Sequence, residues 1–155
     1  MKPVLGNWIA DHFPSPEIWY EAKMNFIKST AIWSMIGYII GLGDRHGDNI
    51  LIHAHTGEVT HVDFDCIFEK GKTLPTAEIV QFRMTTNIAG SLGTLGPQGV
   101  FKHYFKRLIK FFHEHIDDIV GSLDSFIYDP LIDFRMQHTP KQALAKLRER
   151  IECLI

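Results

Sequence analysis

Three residues with the chemistry of a base and of metal ligands lie close together in this sequence. Asp44 and Asn49 fall in the stretch G-L-G-D-R-H-G-D-N at 41–49, and Asp63 follows in V-D-F. A carboxylate can accept the proton of a hydroxyl group, and carboxylate and amide oxygens are hard ligands that suit Mg²⁺. The set indicates metal-assisted phosphoryl transfer to a hydroxyl, with Asp44 as the base and with Asn49 and Asp63 as ligands.

Arg45 and His46 lie between the candidate base and the first candidate ligand. We include Arg45 in the same set, where it is expected to brace the loop through charged hydrogen bonds; contact with an anionic substrate is the alternative. The order Asp-Arg-His reverses the His-Arg-Asp order of protein-kinase catalytic loops, which indicates a different group of kinases.

A long helix is predicted before this loop. Ser15 can cap its start, Pro16 suits the first helical position, and Glu17 favours the positive end of the helix dipole. Apolar residues then recur at helical spacing and become nearly continuous after Ala31, so the second half of the helix is predicted to be core. Gly41 is predicted to end it.

A hairpin is predicted after the loop. Residues 50–53 and 59–64 alternate as two strands, and the turn between them contains Gly57. Asn49 would lie at the entrance of this hairpin and Asp63 at its exit. The two candidate metal ligands are therefore expected to approach each other at one end of the hairpin.

The rest of the chain is predicted to be mostly helical. Residues 1–13 show no sustained period and are predicted to be an extended or loosely folded lead-in, and no element is predicted in 65–84. Apolar spacing predicts an amphipathic helix over 101–121 and a further short helix at 123–127. Residues 139–142 form a capping box that starts a last helix, whose apolar stripe requires a partner surface on the domain or elsewhere. The expected fold class is α+β, mostly α, with a small hairpin carrying the site loops.

Composition bounds the function. The chain has 155 residues, of which 45% are hydrophobic, so one globular domain with a core is expected. A net charge of −2 and a pI near 6.5 show no basic excess, so no direct nucleic-acid binding is predicted. The apolar run 31–42 is too short to span a bilayer, and no membrane role is predicted. Cys66 and Cys153 offer no disulfide framework and favour a reducing compartment.

Several motifs together resemble one kinase family. They are G-L-G-D-R-H-G-D-N-I-L-I at 41–52, H-V-D-F-D-C-I-F-E-K-G at 61–71, P-T-A-E-I-V-Q-F-R at 75–83, F-P-S-P-E-I-W-Y at 13–20, S-T-A-I-W-S-M-I-G-Y-I-I-G-L-G-D-R-H at 29–46 and Y-D-P-L-I-D-F at 128–134. This combination resembles the phosphatidylinositol-3-kinase-like protein kinases, and within them the ATR-type DNA-damage checkpoint kinases. The resemblance covers nearly the whole chain.

The resemblance implies the C-terminal lobe of a Ser/Thr kinase domain at 1–138, followed by an amphipathic helix at 139–155 that leads towards the family's FATC segment. The N-terminal lobe and the FATC segment would lie outside this chain. The implied cofactors are ATP and Mg²⁺, with Mn²⁺ as an alternative ion, held through Asn49 and Asp63. The implied substrates are proteins with Ser/Thr-Gln sites, and a dedicated partner subunit and a nuclear location are implied in the same way.

The resemblance places His46 near the γ-phosphate, where an imidazole N–H can stabilise charge on the transferred group, and so makes it a second candidate catalytic residue. It also assigns residues 63–83 to the activation loop and 75–83 to the part that meets the peptide substrate. Asp65 departs from the commonest kinase pattern, because it stands where many kinases have the glycine of Asp-Phe-Gly. Asp tolerates left-handed backbone better than most residues, so the turn is expected to persist.

Two alternatives remain open. A lipid kinase of the same superfamily shares the loop motifs, but it needs a basic activation loop, and here Lys70, Lys72 and Arg83 are interspersed with Glu69 and Glu78. A non-catalytic binding module is the second alternative, since one lobe without its partner lobe cannot clamp ATP. The isolated chain is therefore expected to show no measurable kinase activity. This prediction would be contradicted if the isolated chain phosphorylated a Ser-Gln peptide and Asp44→Ala abolished that activity.

Overall fold

The computed structural model describes residues 3–128 and 139–154. Its helices are α1 (Leu5–His12), α2 (Pro16–Ile40), α3 (Thr86–Ser91), α4 (Val100–Glu114), α5 (Ile116–Phe126) and α6 (Pro140–Glu152), and its strands are β1 (Ile50–Ile52) and β2 (Val59–His61). The expected class, α+β and mostly α with a small hairpin, is confirmed. Residues 129–134 of the Y-D-P-L-I-D-F motif and the boundary at 138 lie outside the described residues. Within the described ranges, no helix is both long and apolar enough to cross a bilayer.

Helix α2 is the element on which the others pack. Its inward residues, which are almost completely buried, are Phe26, Ile27, Ala31, Met35 and Ile39. They divide between two clusters, one shared with α1, the hairpin and α4, and the other shared with α4, α5 and α6. The prediction that the second half of this helix is core is confirmed.

The start of α2 differs from the prediction in one contact. Ser15 occupies the N-cap position, but its hydroxyl donates to Glu17 Oε2 at 2.7 Å instead of accepting a helix N–H. A carboxylate is the stronger acceptor within reach of this hydroxyl. The helix start therefore depends on Pro16 at the first helical position and on the charge of Glu17 near the positive end of the dipole.

The predicted extended lead-in is wrong, because α1 is a helix. Val4 at its N-cap makes no side-chain cap, and its N–H donates instead to Asn87 Oδ1 at 2.7 Å, from the start of α3. Ile9 is buried and Leu5 packs against the same core. A short helix without a local cap is marginal alone, so α1 is stabilised by tertiary packing.

The amphipathic helix predicted to end near Gly121 is instead two helices. The break lies at His115, whose φ and ψ of −115° and 23° leave helical geometry. Asp117 and Asp118 then lie in the first turn of α5, where negative charge favours a helix start. Gly121 is inside α5, where a Cβ would meet nothing within 4 Å, so nothing forces the chain to turn there.

The capping box of the last helix is confirmed. Gln142 N–H donates to Thr139 Oγ1 at 3.3 Å, and Thr139 N–H donates to Gln142 Oε1 at 2.8 Å. Leu147 and Ile151 are buried against Met35 in the second cluster. The partner surface that the apolar stripe of α6 requires is therefore the domain itself.

Candidate active site

The loop between α2 and β1 is fixed at its start by glycine. Gly41 takes left-handed angles of 61° and 44°, as predicted for the residue that ends α2. A Cβ there would lie 2.7 Å from Arg150 Nη1 and 2.8 Å from the backbone nitrogen of Glu69. Two residues later, Gly43 N–H donates to the carbonyl of Cys66 at 2.7 Å. The loop is thus held between α6 and the segment that follows Asp63.

Asp44 has left-handed backbone geometry, with φ of 56°. Its carbonyl accepts from His46 N–H at 3.1 Å and from Asn49 Nδ2 at 2.9 Å, and its own N–H donates to Glu78 Oε2 at 2.8 Å. A non-glycine residue in this region costs on the order of 1–2 kcal/mol unless surrounding contacts hold it, and such strain is typical of functional sites. The Asp44 carboxylate itself stays about half exposed, so it can reach a bound hydroxyl.

Asn49 is buried beneath Asp44, with 6% of its surface exposed. Its amide nitrogen donates to the Asp44 carbonyl and lies 3.1 Å from His46 Nε2. Because the Asp44 carbonyl can only accept a hydrogen bond, the Asn49 side-chain atom that contacts it must be the amide nitrogen. Among the described residues no hydrogen bond uses Asn49 Oδ1, so this oxygen remains as the atom available to a ligand.

His46 lies beside Asp44, with its Nε2 3.9 Å from Asp44 Oδ2 and its ring half exposed. Its Nδ1 accepts from Asp48 N–H at 3.3 Å, while its Nε2 faces the Asn49 amide nitrogen. A neutral imidazole accepts at one nitrogen only, so these two contacts are alternatives. Donation from His46 to a phosphoryl oxygen requires the ring to release the contact at the donating nitrogen.

Arg45 is a buried brace, with 7% of its surface exposed. Its Nε donates to the Gly43 carbonyl at 2.8 Å, Nη1 donates to the Val62 carbonyl at 2.7 Å, and Nη2 donates to the Asp63 carbonyl. Burial lowers the pKa of the guanidinium from its ordinary value, although the nearby carboxylates of Asp63 and Asp44 oppose this shift. The contacts match the predicted bracing role, because one side chain joins the loop to the exit of the hairpin.

The hairpin brings the two candidate ligands to one end, as predicted. Ile50 pairs with His61 as the last register pair, so residues 49 and 62 face each other just beyond it. Val62 N–H donates to the carbonyl of Asn49 at 3.1 Å. Asn49 is one of these two facing residues, and Asp63 directly follows the other.

The turn after the hairpin differs from the expectation for Asp65. The left-handed residue is Asp63, with φ of 61°, and Asp65 is not left-handed. Asp65 N–H instead donates to Asp63 Oδ1 at 3.2 Å, which closes an Asx-type turn. The expected turn is present, but Asp63, the candidate metal ligand, is the residue with left-handed backbone. Position 65 therefore does not require glycine.

These residues fit a magnesium ion. Asn49 Oδ1 and the Asp63 carboxylate are hard oxygen ligands, and Mg²⁺ usually keeps waters and phosphate oxygens as its other ligands. In the described part of the chain no three side chains of His, Cys, Asp and Glu are grouped as a closed metal centre. Asn49 and Asp63 would hold the ion with two side chains, and phosphate oxygens of a nucleotide and waters would supply its other ligands.

Two glutamates of the site region were not recognised as site residues from the sequence. Glu78 contacts Asp44 across 34 residues, and Glu69 binds Lys72, Lys146 and Arg150 from two elements. Burial raises the pKa of Glu69, but the hydrogen bonds from Lys146 and Lys72 and the charge of Arg150 outweigh it and lower the pKa to about 2. Neither glutamate has a local sequence signal, because every partner except Lys72 is remote.

His61 lies on β2 behind the site. Its ring stacks on Trp33 at a centroid distance of 4.9 Å, and its Nδ1 is buried without a hydrogen-bond partner among the described residues. Burial, together with the charge of Arg45, lowers the pKa of His61 from 6.5 to about 4. The ring is therefore neutral in the folded chain at neutral pH.

This shift predicts an acid-dependent loss of stability. Between pH 6.5 and about 4, the unfolded chain binds a proton at His61 that the folded chain does not, so the free energy of unfolding falls as pH drops through this window. The expected fall is on the order of 2 kcal/mol, and it is complete near pH 4. Urea titrations across this range measure it, and His61→Phe should flatten the curve while the exposed-site control His113→Phe should not. A slope unchanged by His61→Phe would contradict the assignment.

The chain is similar to known proteins in sequence and in fold. The chain is 46% identical over 153 residues to serine/threonine-protein kinase MEC1 of Candida albicans, covering 99% of this chain and 6% of the relative. It is 39% identical over 132 residues to protein kinase rad3 of Schizosaccharomyces pombe, covering 85% and 6%. The solved FAT and kinase domain of CtTel1 superposes with a TM-score of 0.82 at 34% identity, covering 99% of this chain and 11% of that chain.

The chain thus spans about 6% of the length of the curated relatives it matches. Residues 1–136 match the family model described as phosphatidylinositol 3- and 4-kinase. Since that match covers most of the chain and includes the loop, the hairpin and both candidate ligands, the chain belongs to the phosphatidylinositol 3- and 4-kinase family.

Proposed function

We propose that this chain supplies the C-terminal lobe of a Ser/Thr protein kinase that transfers the γ-phosphoryl group of ATP to hydroxyls of protein substrates. One observation carries the proposal: Asp44, Asn49 and Asp63 are joined in a single hydrogen-bonded network that the buried Arg45 holds together. The family membership and the printed names of the relatives, which are protein kinases, support the same reaction.

Each residue has a role that follows from its contacts. Asp44 orients the substrate hydroxyl and accepts its proton, because its carboxylate is exposed while its backbone is hydrogen-bonded on both sides. Asn49 and Asp63 hold Mg²⁺, or Mn²⁺, together with ATP. The bound ion supplies charge neutralisation at the phosphate oxygens. His46 is placed to donate to the transferred group when its ring releases one of its present contacts.

We extend the proposal to the setting of the reaction. Residues 1–138 form the lobe, and residues 139–155 lead towards a FATC segment. The substrates are proteins in which Gln follows the phosphorylated Ser or Thr, in DNA-damage checkpoint signalling in the nucleus, with a dedicated partner subunit. The support is the resemblance to ATR-type kinases and the similarity to the MEC1 and rad3 kinases.

The charges of the segment after Asp63 favour protein over lipid substrates. Lys72 is engaged in an ion pair with Glu69 within the segment. Recognition of inositol phosphates needs several cations that are free to meet phosphate oxygens. The segment 63–83 lacks such a cluster in its sequence, where Glu69 and Glu78 lie among the cations.

Substrate class and metal use can be tested together in the intact kinase that contains this chain. We expect Mg²⁺-ATP-dependent phosphorylation of a Ser-Gln peptide, at least about tenfold faster than of the matched Ser-Ala peptide, and no phosphorylation of phosphatidylinositol vesicles. Asn49→Ala should raise the Mg²⁺ concentration for half-maximal activity about tenfold or more, whereas Asn7→Ala, on the exposed side of α1, should not. Lipid phosphorylation without peptide phosphorylation would favour the lipid kinase, and no transfer to either would favour a binding module.

A further inference from the structure

We propose that Glu78 is a positioning residue for the reaction, which fixes the backbone of Asp44 from the segment that follows Asp63. This inference rests on the proposed function, because it concerns the placement of the proposed base. Glu78 touches neither of the candidate metal ligands in the described contacts. Its hydrogen-bond partner at the site is the N–H of Asp44, at 2.8 Å from Oε2.

The bond matters because Asp44 needs support on both sides. Its carbonyl is held by His46 N–H and by the Asn49 amide, so the peptide group after Asp44 is fixed from within the loop. The peptide group before Asp44 is held at the Gly43 carbonyl by Arg45 Nε and at the Asp44 N–H by Glu78. A charge-assisted hydrogen bond from a backbone N–H to a carboxylate is stronger than a neutral one. Glu78 thus stabilises the left-handed geometry that aims the Asp44 carboxylate.

Two glycines make room for this carboxylate. A Cβ on Gly43 would lie 2.6 Å from Glu78 Oε2, and a Cβ on Gly71 would also lie 2.6 Å from it. Both distances are far below a van der Waals contact, so any side chain at either position would displace the carboxylate. Gly71 also holds the backbone of Glu78, since the Gly71 carbonyl accepts a hydrogen bond from Glu78 N–H at 3.0 Å. The carboxylate therefore occupies a slot bounded by the loop and by residues 71–78.

This arrangement ties the base to the segment 71–78. If that segment leaves its place, Asp44 loses the partner of its N–H while its carbonyl contacts remain. The next two residues, Ile79 and Val80, are 85% and 82% exposed, so the segment is not buried under other parts of the described chain. The hydrogen bond from Asp44 N–H to Glu78 therefore links the position of residues 71–78 to the backbone geometry of Asp44.

The first test uses substitutions of Glu78 in the intact kinase with the Ser-Gln peptide. Glu78→Ala should lower kcat by roughly 10- to 100-fold and leave KM for ATP within about twofold, since the placement of the base and not nucleotide binding is lost. Glu78→Gln keeps an acceptor oxygen at the same reach and should recover most of the rate, whereas Glu78→Asp is too short and should not. Glu21→Ala, which removes an exposed carboxylate on α2, is the matched control.

The second test separates a positioning role from a general loss of structure. Gly71 does not have a left-handed φ, so Gly71→Ala introduces no left-handed strain. The added Cβ would lie 2.6 Å from Glu78 Oε2 and 3.3 Å from Gly43 Cα, so its largest effect is to displace the Glu78 carboxylate. We expect Gly71→Ala to lower kcat about as much as Glu78→Ala. In the Glu78→Ala background, Gly71→Ala should cause less than about a twofold further loss, because the group it displaces is gone. Losses that multiply in the double variant would overturn the inference.

The outcomes distinguish this inference from the proposed function. If Asp44→Ala keeps its activity, the proposed function fails. If Asp44→Ala is inactive while Glu78→Ala behaves like Glu21→Ala, the inference alone fails. If Glu78→Ala raises KM for ATP together with the fall in kcat and Glu78→Gln gives no recovery, Glu78 is not a positioning residue, and the inference fails as well.

Discussion

Replacing Asp44 with alanine is expected to lower kcat of the intact kinase by roughly 10³-fold, because the group that accepts the hydroxyl proton is removed. The backbone contacts of Asp44 do not involve its carboxylate, so the loop should keep its shape. Alanine tolerates left-handed geometry less well than aspartate, which should cost about 1 kcal/mol of stability. Steady-state phosphorylation of a Ser-Gln peptide, with thermal unfolding of each variant, measures both effects.

Two variants sharpen this experiment. Asp44→Asn keeps the size and shape of the side chain but removes its basicity, so it should be nearly as inactive as Asp44→Ala. Asp11→Asn makes the same change on an exposed side chain of α1 and should stay within about twofold of the unaltered kinase. An Asp44→Asn variant that retains more than a tenth of the rate would show that Asp44 is not the proton acceptor.

Replacing Arg45 with methionine is expected to lower the free energy of unfolding by about 3 kcal/mol, because buried carbonyls would lose their donor. The affected carbonyls are those of Gly43, Val62 and Asp63, on both sides of the site. Since these bonds hold the loop against the exit of the hairpin, kcat should also fall by roughly 100-fold. Urea unfolding and the peptide assay measure the two losses.

Lysine at the same position tests the geometry of the brace. An ammonium group is a compact donor and cannot span the same carbonyls as the guanidinium fork, so Arg45→Lys should recover only part of the stability. The control is Arg148→Met, since Arg148 is 41% exposed and pairs with Asp117, which is 83% exposed. A surface pair of this kind contributes less than about 1 kcal/mol. Equal losses in Arg45→Met and Arg148→Met would exclude the bracing role.

Local signals in the sequence were sufficient to predict much of the fold. Gly41 and Pro16 mark the ends of α2 because their backbone preferences act at single positions. The capping box at Thr139 and Gln142 is likewise a contact between residues three apart. Local signals were misleading where nearby groups compete, as at Ser15, whose hydroxyl bonds to Glu17 instead of the helix.

The sequence by itself determined that the candidate residues come to one end of a hairpin, because Asn49 directly precedes its first strand and Asp63 follows its second strand. Only the tertiary structure decided how they are held. The bond from Asp44 to Glu78 spans 34 residues, and the bond that starts α1 spans 83. Backbone preferences act over a few residues, whereas such contacts form only when α2 and its neighbours bury their apolar faces together, which a local pattern does not encode.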